Sequence, residues 1–207
     1  MQSKSEMKTM WKETLILAVI TVLSGLLLGF VHELTKEPIR LQQEKAVQEA
    51  CRAVFPAQTG VDFIKTDHTP GIPLQEELKQ EGVTIGSIYL AVKGQEQIGY
   101  VVETTSSEGY GGDIVLYVGI TNEGTLNAVS ILSISETPGL GMQAEKVLLP
   151  QLQNKAVSSI RYTKSGSSAE EEIDAISGAT ITTRAVTNAV NGALKTALEI
   201  GGGEANE

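Results

Sequence analysis

Asp174-Ala175-Ile176-Ser177-Gly178-Ala179-Thr180 opens directly onto Ile181-Thr182-Thr183-Arg184-Ala185 and an apolar series that runs to Ile200. In that series Ile181, Ala185, Ala189, Val190, Ala193, Leu194, Ala197 and Leu198 recur at helical spacing, so one face of a long helix must be buried against another layer. Gly201-Gly202-Gly203 is expected to stop it, with a disordered tail at residues 201–207. Working upstream, the period changes from that of a helix to that of strands. Strands are expected at 87–92 and 98–104 around Lys93-Gly94-Gln95-Glu96, and at 114–120 and 126–134 around Asn122-Glu123-Gly124. A helix is expected over 143–153, disturbed by Pro150, then a short strand over 157–163 and a Ser/Gly/Glu loop over 164–171. The fold class is therefore α+β, an antiparallel sheet with helices packed on it.

Three segments of this frame carry chemistry. The first is Asp174 to Thr180 itself. Gly178 and Ala179 leave the backbone accessible, and Ser177, Thr180, Thr182 and Thr183 crowd hydroxyls at a helix start, where free N–H groups and a partial positive charge suit a phosphate. The same hydroxyls equally suit an ordinary helix cap. The second is Glu136-Thr137-Pro138-Gly139-Leu140-Gly141, where a fixed proline and two permissive glycines could lie against a flat ring or simply turn the chain. The third is Gly109-Tyr110-Gly111-Gly112, in which Tyr110 could stack on a ligand. It precedes a strand, so it is not a dinucleotide-binding fingerprint.

Composition excludes several classes. A net charge of −9 over 207 residues argues against a nucleic-acid partner. A single cysteine, Cys51, and two histidines, His32 and His68, make no cluster for a metal or iron–sulfur centre. Any electron carrier must then be organic or borrowed.

Leu15 to Val31 is uncharged and spans about 26 Å as a helix, near the lower limit for a hydrocarbon core. Trp11 sits where an interfacial aromatic belongs, and Val31-His32-Glu33 is a poor cleavage context, so the segment is expected to be an uncleaved anchor. Lys4, Lys8 and Lys12 favour a cytoplasmic N-terminus and an extracytoplasmic domain. The expected organisation is a cytoplasmic tail at 1–13, a transmembrane helix at 14–32, a stalk helix and connecting segment at 33–82, with its helix at 37–54 beginning near Pro38, and the domain at 83–200.

The order G-Y-G-G, E-T-P-G-L-G, S-G-A-T behind one span resembles the FMN-binding domain shared by the G subunit of the Rnf complex and the C subunit of the sodium-pumping NADH:quinone reductase. The resemblance covers residues 83–198 and the anchor. It implies FMN esterified through its phosphate to Thr180, with Asp174, Ser177, Gly178 and Ala179 completing the signature read by an FMN transferase. It also implies that Glu136, Thr137, Pro138, Gly139, Leu140 and Gly141, together with Tyr110, Gly111 and Gly112, wall the flavin. Thr183 is added by helical proximity as a phosphate neighbour. The short approach at 33–82 favours the Rnf G subunit. By the resemblance, the chain is an electron-relay subunit without turnover of its own in a redox-driven ion translocase. Its partners would be the flavin-bearing D subunit and the iron–sulfur A and E subunits, in a complex moving Na⁺ or H⁺ across the cytoplasmic membrane. An anchored binding or scaffold domain with no redox role is the alternative from another class.

Overall fold

The computed structural model describes residues 2–203, with side chains for 9–201. Helix α1 (Gln2–Ala53) is unbroken and contains Pro38. A helix beginning near Pro38 was expected; instead the ladder runs through it. The missing N–H of a proline costs one hydrogen bond, and Arg40 braces the turn by reaching Glu37 at 3.0 Å and Glu44 at 2.7 Å. From Leu15 to Val31 the side chains of this helix have no protein cover, and it is long and apolar enough to cross a membrane.

The chain divides into two units, Met1–Lys45 and Ala46–Glu207. The second unit contains the last turns of α1, then β1 (Val61–Thr66), α2 (Ile72–Gln80), β2 (Val83–Lys93), β3 (Glu96–Ser106), β4 (Ile114–Thr121) and β5 (Leu126–Ser133). These strands form one antiparallel sheet in sequence order. After it come α3 (Ala144–Val147), β6 (Arg161–Thr163), β7 (Glu172–Asp174) and α4 (Thr180–Gly203). β6 and β7 pair in parallel.

Both faces of the sheet are covered, which is why its central strands read as nearly continuous apolar runs. On one face Tyr100, Val102, Leu116, Val118 and Ile120 pack with Ala185, Val186, Ala189, Val190, Ala193 and Leu194 of α4. On the other, Val101, Tyr117, Ala91 and Ala128 meet Ala50, Cys51, Val54 and Phe55 at the end of α1. That end sits close because Gly119 has no side chain: a Cβ there would lie 2.6 Å from the Val54 carbonyl oxygen. The same carbonyl accepts a hydrogen bond from Asn127 Nδ2.

Several elements depart from the sequence expectation. Residues 57–82, read as irregular with a short helical patch after Pro70, Gly71 and Pro73, hold that patch as α2 and also an unexpected strand, β1, an edge strand whose Phe63 packs on Phe55 with ring centroids 6.2 Å apart. The helix expected at 143–153 is a 3-10 turn at Gly141–Gln143, α3, and a second 3-10 turn at Leu149–Gln151. Pro150 cannot supply the N–H that a continuous helix requires. The strand expected at 157–163 shortens to β6, because Asn191 of α4 takes the backbone N–H of Ile160 at 2.6 Å and its C=O at 2.9 Å. α4 runs on through Gly203 rather than stopping at Gly201, which lies against the Tyr100 ring. The expected disordered tail beyond it, residues 204–207, lies outside the described residues.

Candidate functional site

α4 begins at Thr180 with Ala179 before it. Alanine offers no capping oxygen, so the cap reading of the hydroxyl cluster loses its basis here. The Thr183 N–H already reaches the Ala179 carbonyl at 3.0 Å, and the Ala179 N–H reaches Ile176 at 3.0 Å. The N–H groups of Thr180, Ile181 and Thr182 are left without a helical partner, carrying the positive end of the helix dipole.

These three residues open into a cavity of about 510 Å³, also lined by Tyr110, Glu136, Thr137, Leu140, Gly141, Gly178 and Ala179. All three chemistry-bearing segments therefore meet in one place. Its size lies in the range of ordinary cofactor and ligand sites, about 300–1,000 Å³. The Thr180 hydroxyl is half-buried and makes no hydrogen bond to the described residues.

The segments are locked together by close backbone approach. A side chain on Gly111 would strike the Ser135 carbonyl oxygen, and one on Gly109 the Gly112 carbonyl oxygen. Glu136, buried at 8% exposure, accepts the Tyr110 N–H through Oε1 at 2.8 Å and so fastens the second segment to the third. A Cβ on Gly141 would lie 2.6 Å from Thr182 Oγ1 and 2.8 Å from Glu136 Oε2, which seats the second segment on α4. Gly178, at φ +78°, passes under Leu140.

Not every candidate residue lines the cavity. Pro138 and Gly139 make the turn, Gly139 at φ +78°, while Leu140 and Met142 both donate their N–H to the Thr137 carbonyl at 3.1 and 3.3 Å. Gly111 and Gly112 shape their loop from outside, and Ser177 is exposed. Asp174 ends β7; its Oδ1 accepts the Ser167 N–H at 2.6 Å, and its own backbone is held by Gln151. Thr183 is corrected: its hydroxyl is fully buried, donates to the Ala179 carbonyl at 2.9 Å and accepts the Ile176 N–H at 3.1 Å. It pins the turn that presents Thr180 and does not face the cavity. Thr182, one of the hydroxyls grouped at the helix start, and Ile181, which the sequence reading did not single out as a site residue, also line the cavity. The available signal was their place in the first helical turn, where N–H groups are necessarily free.

The lining suits an amphipathic ligand with an anionic end. The helix start takes the anion; Tyr110, Leu140 and Ile181, partly exposed at the rim, offer apolar and aromatic surface. Among the described residues no cluster of His, Cys, Asp or Glu could hold a metal ion.

Two stretches of the chain match known family models. Residues 109–195 match the FMN-binding domain family, and residues 1–54 match the RnfG N-terminal region. The chain is 29% identical over 205 residues to the G subunit of the Na⁺-translocating ferredoxin:NAD⁺ oxidoreductase complex of Acetobacterium woodii, covering 92% of this chain and 95% of that one. It is 30% identical over 192 residues to the G subunit of the ion-translocating oxidoreductase complex of Vibrio cholerae, covering 89% and 88%. Over 117 residues, 56% of this chain and 62% of the relative, it is 40% identical to the G subunit of the proton-translocating ferredoxin:NAD⁺ oxidoreductase complex of Clostridium ljungdahlii. Among solved structures, that of Shewanella oneidensis NqrC matches with a TM-score of 0.46 at 17% identity, over 57% of this chain and 59% of that chain.

Proposed function

Because the chain belongs to the family of G subunits of ion-translocating oxidoreductase (Rnf) complexes, we propose that it is a single-pass electron-transfer flavoprotein whose FMN is esterified to Thr180. The observation that carries this is the half-buried, unbonded Thr180 hydroxyl at an uncapped helix start that opens into the cavity. The fit rests on two features: N–H groups of residues 180–182 that find no helical partner and can take the phosphate, and Tyr110, Leu140 and Ile181 offering surface to a flat ring.

The chain's own groups divide the work. Thr180 Oγ would hold the group as a phosphoester, formed by an FMN transferase from a flavin dinucleotide with loss of the hydroxyl proton and of the dinucleotide's other half. The N–H groups of Ile181 and Thr182 neutralise the phosphate charge. Thr183 holds the 176–180 turn so that Thr180 alone is presented. FMN supplies reversible one- and two-electron chemistry, which the protein tunes by burial and nearby charge.

On the same reading the N-terminus lies in the cytoplasm and the domain on the outer side. Electrons would enter from an iron–sulfur centre of the A and E subunits and leave to the flavin of the D subunit, with Na⁺ or H⁺ moved elsewhere in the complex. The anchor has no acidic residue between Leu15 and Val31 and offers no ion path of its own.

The test is expression with and without an FMN transferase, followed by denaturing electrophoresis and flavin fluorescence. A fluorescent band is expected only with the transferase. Its absence from the transferase-treated chain would remove the covalent tether.

A further inference from the structure

The cavity wall holds one acidic side chain, and neither the tether nor the phosphate contacts give it a task. Glu136 is 8% exposed, and its Oε1 is committed to the Tyr110 N–H at 2.8 Å. Its Oε2 and Thr182 Oγ1 crowd the same point beside Gly141, 2.8 and 2.6 Å from where a Cβ would stand. Thr182 is 1% exposed, lines the cavity, and its hydroxyl makes no hydrogen bond to the described residues. Among the described residues no lysine or arginine forms an ion pair with Glu136. Arg184, one turn into α4, is held instead by Glu108 at 3.4 Å.

A sheltered acidic group with no cation beside it gains nothing from packing that a neutral side chain of the same size would not supply. Its one satisfied oxygen fastens a loop, a task that a neutral amide oxygen performs equally well. What the amide cannot supply is the negative charge.

We propose that Glu136 is a potential-setting residue: its carboxylate in the cavity wall lowers the reduction potential of the flavin carried by Thr180. This rests on the tether reading above. Reduction of a flavin held in this cavity would place electrons on its ring, and wherever fewer protons than electrons are taken up that ring would gain negative charge. At short range in a water-poor site, repulsion from a fixed carboxylate disfavours that gain. Thr182, beside it, supplies a hydroxyl that can donate to a ring or ribityl oxygen and keep the ligand in register with the charge.

The experiment uses the full-length chain, matured by an FMN transferase and held in detergent. Glu136→Gln and Glu136→Ala are titrated against mediator dyes while flavin absorbance is followed. In either variant that retains flavin, the midpoint is expected to rise by about 30 mV or more, a tenfold change in the ratio of oxidised to reduced form for a two-electron couple. Glu136→Gln keeps an acceptor for the Tyr110 N–H and Glu136→Ala does not, so a rise common to both belongs to the charge and not to the loop. A midpoint equal to that of the unsubstituted chain in a flavin-loaded Glu136→Gln protein overturns the proposal. Loss of the flavin band from both variants also overturns it, by assigning the residue to loading. An unsubstituted chain that emerges without flavin instead sinks the tether reading, and is seen on the gel before any titration.

Discussion

At the scale of the residue, three threonines within four positions have three different fates. Thr180 faces the cavity unbonded, Thr182 stands beside Glu136 and Gly141, and Thr183 is turned back into the core. Thr180→Ala should abolish the fluorescent band, while Thr182→Ala should keep it; a band surviving in the Thr180 variant would move the attachment elsewhere. Thr183→Ala leaves the buried Ile176 N–H without its acceptor, so we expect a loss of about 1–3 kcal/mol, read as a lower denaturant midpoint, with the tether retained. Cys51 is a residue of the same sheltered kind. Burial, with a smaller contribution from Glu103, raises its thiol to about 12 from an ordinary 9.0. Native protein at pH 8 should resist iodoacetamide, and denatured protein should take it up stoichiometrically. The sign for stability follows: the unfolded thiol ionises above about pH 9 while the folded one stays neutral, so this contribution is whole below pH 9 and is lost as pH rises toward 12.

At the scale of the element, the sheet depends on places where backbone meets backbone. β4 accepts the end of α1 only because Gly119 leaves room for the Val54 carbonyl. Gly119→Ala should separate the two and cost about 1–3 kcal/mol, measured as a fall in the thermal midpoint without loss of helix content. The bulge between β2 and β3 near Gly86 is supported in a comparable way: Glu103 Oε2 accepts the Ser87 N–H at 3.0 Å, satisfying a donor that the shifted register leaves over. The long amphipathic helix and the two central hairpins could be read from period alone. The short pieces could not. β1 is an edge strand whose apolar residues Val61, Phe63 and Ile64 break a clean alternation, and residue 160 is bonded by a side chain thirty-one residues away in Asn191 rather than by a strand.

At the scale of the whole molecule, the division at Lys45 and Ala46 separates an exposed apolar helix from a unit with its own core. A fragment spanning residues 46–207 should fold cooperatively and remain soluble without detergent, by circular dichroism and size exclusion. Aggregation of the fragment at low concentration would show that the first unit contributes to folding. The two helix segments that cover the sheet lie before and after it in sequence, so packing each one joins residues tens of positions apart, and slow refolding is the expected kinetic signature.

What the sequence determined by itself was local and periodic: the anchor, the strand hairpins, the terminal helix, and the three segments with their family resemblance. Those features depend on neighbours a few positions apart, and a linear reading sees them. Only the tertiary structure decided that Ala179 stands at the cap position of the helix, that Thr183 serves the turn while Thr182 faces the cavity, and that Glu136 stands in its wall with no lysine or arginine paired to it among the described residues. Each of those depends on which face of a helix or loop is turned toward a partner distant in the chain, and that is set by packing across the sheet, which no spacing within one segment encodes.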